Sequence, residues 1–171
     1  YPVTISPRPG VYRTFESHHL FTYAVAGWEP FNLFSPERFM DRVRRACQKH
    51  GMHTLLLSAE NTYWLPHPVV LPEDIERKEY LDVKRQYIEK LKARLQGLEV
   101  KVVIYLRRQD RWIESWYNQQ IKNGFHLPKD FLAFADRHRH LIDYRAHLEL
   151  WGQIFGEDNL MVRAYEKEQL P

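Results

Sequence analysis

The sequence predicts an α/β fold in which helices cover a parallel β-sheet. Apolar runs at residues 54–58 and 100–106 are short and continuous, which is typical of strands buried on both faces. A third candidate strand covers residues 159–164. Segments with helical periodicity separate these runs. Strands separated in this way are joined by crossover connections, which make neighbouring strands parallel.

Size and composition predict one domain over residues 1–171. At 171 residues and 44% hydrophobic content, the chain can bury enough surface to fold alone. No apolar run reaches the roughly 18 residues that a membrane span needs, so no span is predicted. The single Cys47 cannot form an internal disulfide, and this predicts a reducing, cytoplasmic environment.

The first clear elements precede the run at residues 54–58. A short helix is predicted around residues 20–26, and a longer one begins where Ser35 caps a turn that contains Pro36. Gly51 is expected to end this second helix. Its apolar positions recur at helical spacing, at Phe39, Met40, Val43, Ala46 and Cys47.

The second half alternates helices and strands. An apolar stripe from Tyr80 to Leu98 predicts a long helix that Gly97 can end, directly before the run at residues 100–106. Asp110 can open the next helix, and Gly124 can end it. Shorter helices are predicted at residues 130–136 and 144–155, before the last strand at 159–164.

The charge pattern favours neither nucleic acids nor metals. The formal net charge of +3 favours anionic ligands only slightly, and no nucleic-acid-binding motif is present. His138 and His140 lie in a short basic run that we interpret as a solvated surface. No acidic or cysteine residue has ligand spacing near them, so no metal site is predicted.

Residues 100–124 are a candidate anion site, because a predicted strand is followed there by a predicted helix. Their sequence is VKVVIYLRRQDRWIESWYNQQIKNG. Arg107 follows the apolar run, and Ser115 comes eight residues later on the predicted helix. A guanidinium grips a phosphate well, and a helix N-terminus favours negative charge. An isolated pair with this spacing would more often be two surface residues. The segment resembles the 3′-phosphate-binding element of PAPS-dependent sulfotransferases, in which the matching arginine and serine bind the nucleotide.

A second segment extends the resemblance towards the C-terminus. Residues 148–170, LELWGQIFGEDNLMVRAYEKEQL, are similar to the late helix and strand of that family, followed by its Tyr-Glu pair at Tyr165 and Glu166. The likeness is closest to the bacterial and carbohydrate-type enzymes. It implies a three-layer α/β/α fold of the P-loop nucleotide type, PAPS as the sulfuryl donor without a metal, and a hydroxyl acceptor such as a saccharide.

The chain departs from the family in two respects, and one is the later nucleotide-contacting loop, which the resemblance places beyond Pro171. Members begin with a strand and a KTGTTS-type loop that holds the 5′-phosphosulfate, and nothing in residues 1–171 matches that loop. The expectation is therefore a truncated domain whose first strand lies upstream of Tyr1, and which does not turn over by itself.

Sulfuryl transfer also needs a base for the acceptor hydroxyl. Glu60, in the sequence SAEN after the second apolar run, resembles the glutamate that bacterial members carry there, and it is the first candidate. A solvated loop glutamate is the plain alternative. His18 and His19 are the second candidates, because imidazole titrates near neutral pH. Tyr63 and Trp64 are considered for stacking on a sugar or adenine.

Two other functions stay open at the level of sequence. The chain could be an inactive nucleotide-binding or interaction module of the same fold. It could also be a relative of the P-loop kinases, which share the sheet, although no GxxxxGK(S/T) motif is present to favour this reading.

Overall fold

The computed structural model describes residues 3–4, 14–15, 17–27, 34–65, 76–122 and 130–165. Within these ranges the chain forms six α-helices and four short strands. The helices are α1 (Ser17–Ala26), α2 (Pro36–His50), α3 (Arg77–Arg94), α4 (Gln109–Lys122), α5 (Phe131–Arg137) and α6 (Tyr144–Phe155). The strands are β1 (Val3–Thr4), β2 (Thr14–Phe15), β3 (Val102–Leu106) and β4 (Leu160–Ala164).

The chain divides into two compact units. Unit 1 consists of Tyr1–Glu73 and Val83–Leu98, and unit 2 of Asp74–Asp82 and Glu99–Pro171. Helix α3 therefore contributes residues to both units. The single-domain organisation inferred from chain length stays a prediction.

Unit 1 is built around α1 and α2, and local signals define the ends of α2. The Ser35 side chain accepts a hydrogen bond from the Arg38 amide at 3.2 Å, and Pro36 stands in the first turn. Gly51 ends the helix in the left-handed conformation with φ of 61°. Phe39 of α2 packs on Phe21 of α1, with ring centroids 5.2 Å apart. The predicted ends of α2 are confirmed.

The predicted strand at residues 54–58 is wrong. Residues 52–59 are irregular, and Leu56 is 74% exposed. A parallel strand needs a hydrogen-bonded neighbour, and none of the strands that the structure describes pairs with this segment. Its apolar composition alone does not supply that partner. The Pro-rich stretch at residues 66–72 lies outside the described residues.

Unit 2 contains the parallel pairing that the sequence predicted. Strands β3 and β4 pair in parallel, with Val102 opposite Leu160 and Leu106 opposite Ala164. Helices α4, α5 and α6 lie between the two strands along the chain, as a crossover connection requires. The mixed α/β class is therefore confirmed for the described residues.

The two faces of this small sheet differ. Ile104 is 5% exposed on one face, whereas Val103 and Tyr105 on the other face are 50% and 57% exposed. The prediction that this strand is buried on both faces is wrong, because nothing among the described residues covers the second face. A three-layer arrangement consequently stays a prediction.

The helices predicted at residues 130–136 and 144–155 and the helix start near Asp110 are confirmed, whereas Gly124, the predicted end of that helix, lies outside the described residues. Asp130 caps α5 by accepting a hydrogen bond from the Leu132 amide, and Asp143 caps α6 through the Ala146 amide. Helix α6 turns Trp151 and Phe155 into the core of the unit. None of the helices that the structure describes combines the length and the apolar character needed to cross a membrane.

Candidate functional site

The candidate anion site lies where β3 meets α4. The strand ends at Leu106 and the helix begins at Gln109, so only Arg107 and Arg108 lie between them. Arg108 is committed to Asp110, with Nη2 2.8 Å from the carboxylate. Arg107 is exposed, and within the described part of the chain no carboxylate pairs with its guanidinium. Of the two arginines, Arg107 is the one whose side chain is open to a ligand.

Ser115 lies two turns into α4 and is also exposed. It is separated by about 200° around the helix axis from Ile113, which is buried, so its hydroxyl is on the solvent side. An anion site at these two positions requires both side chains to be accessible. Arg107 and Ser115 meet this requirement, because neither is enclosed in packed core. That they form one pocket stays a prediction.

Two long-range hydrogen bonds hold the segment after β3. The Tyr144 hydroxyl of α6 donates to the Arg107 carbonyl at 2.8 Å, and the Gln109 side chain donates to the Ile142 carbonyl at 2.6 Å. Burial raises the pKa of Tyr144 to about 12, and the charge of Arg107 acts in the opposite direction. The phenol therefore stays a hydrogen-bond donor throughout the neutral range.

A shallow depression lies on another face of α4. Its volume is about 330 Å³, and its lining includes two carboxylates; the residues are Asp110, Glu114, Tyr117, Asn118 and Phe131. Carboxylates repel phosphate groups, so this depression is unsuited to the phosphates of a nucleotide. An anion site at Arg107 stays a prediction.

His18 is buried in unit 1 beside the segment that leads to Glu60. Its Nδ1 lies 3.1 Å from the Ser58 amide nitrogen and 3.0 Å from the Ser58 carbonyl oxygen. The neutral tautomer decides which of these contacts is a hydrogen bond. Burial lowers the pKa of His18, and this effect outweighs the Ser58 carbonyl, which raises the pKa by accepting a hydrogen bond from the ring. The ring is therefore neutral at pH 7.

Glu60 opens a 3₁₀ turn, Glu60–Thr62, that packs on α1. The Thr22 hydroxyl lies 3.2 Å from the Asn61 side-chain oxygen, a contact that joins α1 to this turn. The structure thus brings His18 to the segment that carries Glu60. His19 is half-buried and follows His18 directly in α1, so the two side chains leave the helix about 100° apart.

Comparisons with known proteins add little about function. A protein of Archaeoglobus fulgidus, described as an uncharacterized protein, is 32% identical over 97 residues. The match covers 57% of this chain but only 26% of the relative, so the chain spans about a quarter of that protein's length. No protein-family model matches the chain. No solved structure matches it either.

Two interpretations of side chains outside the site are corrected by the structure. His138 and His140 are buried, not solvated, and only the neighbouring arginines of that run are exposed. Tyr63 is buried as well, so it is no stacking platform for a ligand. Among the residues that are described, no three His, Cys, Asp or Glu side chains are grouped as metal ligands.

Lys84 is a notable residue that the sequence reasoning missed. Its side chain is fully buried, and Nζ donates to the Tyr63 carbonyl at 2.6 Å and lies 3.4 Å from the Leu65 carbonyl. Burial lowers the pKa of Lys84 to about 7. Its position could have been predicted, because Lys84 lies one turn from both Tyr80 and Tyr87 on the apolar stripe of α3.

Proposed function

We propose that this chain carries the 3′-phosphate-binding part of a PAPS-dependent sulfotransferase, on a three-layer α/β fold of the P-loop nucleotide type. The observation that supports the proposal is Arg107, an exposed guanidinium without a carboxylate partner in the described residues, at the end of a parallel strand and before a helix. Ligands of open α/β sheets bind at the carboxyl ends of the strands. A bidentate contact from arginine suits a ribose phosphate.

In the proposed reaction, an acceptor hydroxyl, such as that of a saccharide, attacks the sulfur of PAPS. The new O–S bond forms as the bond between sulfur and the 5′-phosphate oxygen breaks, and adenosine 3′,5′-bisphosphate leaves. Glu60 is the first candidate to receive the hydroxyl proton, and His18 or His19 is the second. The neutral ring of His18 is compatible with this role, because only an unprotonated imidazole accepts a proton.

The nucleotide contact is tested by binding, which does not depend on turnover. Calorimetry compares adenosine 3′,5′-bisphosphate with adenosine 5′-monophosphate. We expect the bisphosphate to bind more tightly, and Arg107→Ala to weaken it by about 10- to 100-fold through loss of a charge-assisted contact. Ser115→Ala should weaken it by a few-fold, the effect of losing a neutral hydrogen bond.

Arg108→Ala is the matched control, since it removes the same charge from the next residue. Equal losses in Arg107→Ala and Arg108→Ala would show general electrostatics instead of a built contact. Equal affinity for the two nucleotides would favour the kinase-like alternative. Tight, Arg107-dependent binding in a polypeptide that never transfers sulfuryl groups would favour the inactive nucleotide-binding module.

A further inference from the structure

Residues 58–65 of unit 1 form an irregular segment apart from the short 3₁₀ turn that Glu60 begins. None of the strands that the structure describes pairs with this segment. Hydrogen bonds between its own amides and carbonyls close a series of tight turns from Ala59 to Leu65. These local bonds shape the segment, but they do not attach it to the helices of the unit.

Three buried polar side chains make that attachment. At the start of the segment, Nδ1 of His18 in α1 lies 3.1 Å from the Ser58 amide nitrogen. In the middle, the Thr22 hydroxyl of the same helix lies 3.2 Å from the Asn61 side-chain oxygen. At the end, Lys84 of α3 contacts two backbone carbonyls. The segment is therefore held at its start, middle and end from two helices.

Lys84 makes the contacts at the end of the segment. Its Nζ donates to the Tyr63 carbonyl at 2.6 Å and lies 3.4 Å from the Leu65 carbonyl. The last carbonyls of a helical turn have no partner within the turn, and a lysine side chain can supply one. Lys84 and Leu65 are both 0% exposed, so this contact is made entirely inside the unit.

The burial of polar side chains in unit 1 is concentrated on this one segment. Tyrosines aside, the polar or charged side chains that are buried in the described part of unit 1 are His18, Thr22 and Lys84. Burial of a polar group costs free energy even when the group is hydrogen-bonded, and an apolar side chain often stabilises a core as well. Buried polar contacts of this kind specify one backbone conformation, as a reacting group requires of the residues around it.

We propose that Lys84 is a positioning residue for Glu60, because it holds the far end of the turn that Glu60 begins. This inference rests on the proposed sulfotransferase function, in which Glu60 is the first candidate base. The Lys84 amine is buried and does not touch the acceptor. It fixes the backbone that carries the Glu60 carboxylate, and a displacement of about 1 Å at a reacting group lowers the rate by about 100-fold.

Amide hydrogen exchange tests whether Lys84 holds the segment, and it does not depend on activity. Lys84→Met keeps a long unbranched side chain and removes the donor. The amides of residues 61–65 should then exchange about 2- to 13-fold faster than in wild type, the effect of one lost hydrogen bond. Lys90→Met, at an exposed position of the same helix, is the control and should leave this exchange unchanged. The same exchange in Lys84→Met and wild type would overturn the proposal.

Sulfuryl transfer from PAPS tests the effect on Glu60, in a polypeptide that has this activity and with a panel of monosaccharides and disaccharides as acceptors. Lys84→Met should lower kcat by about 10- to 100-fold and leave KM for PAPS nearly unchanged. Lys90→Met should keep the wild-type kcat. Thermal melting verifies that the variants are folded. If Lys84→Met does not fold, Lys84→Gln replaces it, and its shorter donor should give a smaller loss of kcat.

A double variant separates positioning of Glu60 from a general loss of structure. In the Glu60→Gln background, Lys84→Met should lower kcat little further, because the group that it positions is already absent. Equal losses in the two backgrounds would contradict the proposal, and so would an unchanged kcat in Lys84→Met. Faster exchange in Lys84→Met together with a wild type that never transfers a sulfuryl group would instead refute the sulfotransferase function, and Lys84 would be shown only to hold the segment.

Discussion

The Tyr144 hydroxyl donates a hydrogen bond of 2.8 Å to the backbone carbonyl of Arg107. This contact holds the main chain of Arg107 from α6, 37 residues further along the sequence. The turn after β3 is therefore held through the backbone carbonyl of Arg107. Its guanidinium takes no part in this hydrogen bond. Tyr144 is a positioning residue for the proposed anion site.

Tyr144→Phe tests this role. Removal of the hydroxyl should loosen the turn and weaken binding of adenosine 3′,5′-bisphosphate by about 2- to 13-fold, the usual range for one neutral hydrogen bond. Affinity for adenosine 5′-monophosphate should change much less, and calorimetry measures both. Tyr105→Phe, which removes an exposed hydroxyl from the same unit, is the control. Equal affinities of wild type and Tyr144→Phe for the bisphosphate would contradict the positioning role.

The identity of the base is open to three separate substitutions, Glu60→Gln, His18→Ala and His19→Ala. In a polypeptide that has sulfuryl-transfer activity, loss of the base should lower kcat by about 100- to 10,000-fold. Burial lowers the pKa of His18, so a His18 base would give an acid limb with its midpoint below pH 6.5. That limb should vanish in His18→Ala. Three variants with unchanged kcat would remove all three roles.

Local signals allowed much of the fold to be predicted. Ser35 and Gly51 define α2, and residues 144–155 form α6, because caps and helical periodicity depend on near neighbours in the sequence. The segment at residues 54–58 failed as a strand because strand formation depends on a partner that an apolar run does not reveal. The burial of Lys84 could have been predicted from its place on the apolar stripe of α3, but its carbonyl partners could not, since they lie 21 and 19 residues away.

The candidate site also has features that the sequence predicts and features that it does not. The place of Arg107 and Ser115 at a boundary between a strand and a helix follows from apolar runs and helix starts, which are visible in the sequence. The commitment of Arg108 to Asp110 and the support from Tyr144 depend on side-chain positions, which the sequence alone does not give.

One face of β3 is buried and the other is exposed, so shortening a side chain to alanine should affect stability differently on the two faces. Ile104→Ala should lower the free energy of unfolding by about 2 to 5 kcal/mol, because it leaves a cavity in the covered face. Val103→Ala, on the open face of the same strand, should cost less than about 1 kcal/mol. Denaturant unfolding measures both. A large loss in Val103→Ala would show that the second face is covered in solution.

Acid should destabilise unit 2 through His140. Burial lowers the pKa of His140, and the charge of His138 lowers it further. The folded state then binds fewer protons than the unfolded state. The contribution of His140 to the unfolding free energy is therefore fully present above pH 6.5 and decreases as the pH falls below that value. His140 packs on Tyr80, with ring centroids 4.8 Å apart.

His140→Phe keeps an aromatic ring at that position and removes the titration. Its unfolding free energy should depend less on pH than that of wild type, measured by urea unfolding one unit above and one unit below the ordinary imidazole value of 6.5. His19→Phe, at a half-buried position in unit 1, is the matched control. Equal pH dependence in wild type and His140→Phe would show that His140 is protonated alike in both states.

Buried Lys84 should make the unfolding free energy depend on pH above pH 7. Burial lowers its pKa from 10.5 to about 7, so between these values the folded state binds fewer protons than the unfolded state. Unfolding free energy should therefore rise by roughly 1 kcal/mol for each pH unit above 7, and this contribution is lost as the pH falls to 7. The measurement should stay below about pH 9, where tyrosines do not yet ionise.

Lys84→Met should abolish the slope, whereas Lys90→Met, at an exposed position, should preserve it. If wild type and Lys84→Met show the same slope, the buried amine is charged at neutral pH, and the hydrogen bond to the Tyr63 carbonyl is made by an ammonium group.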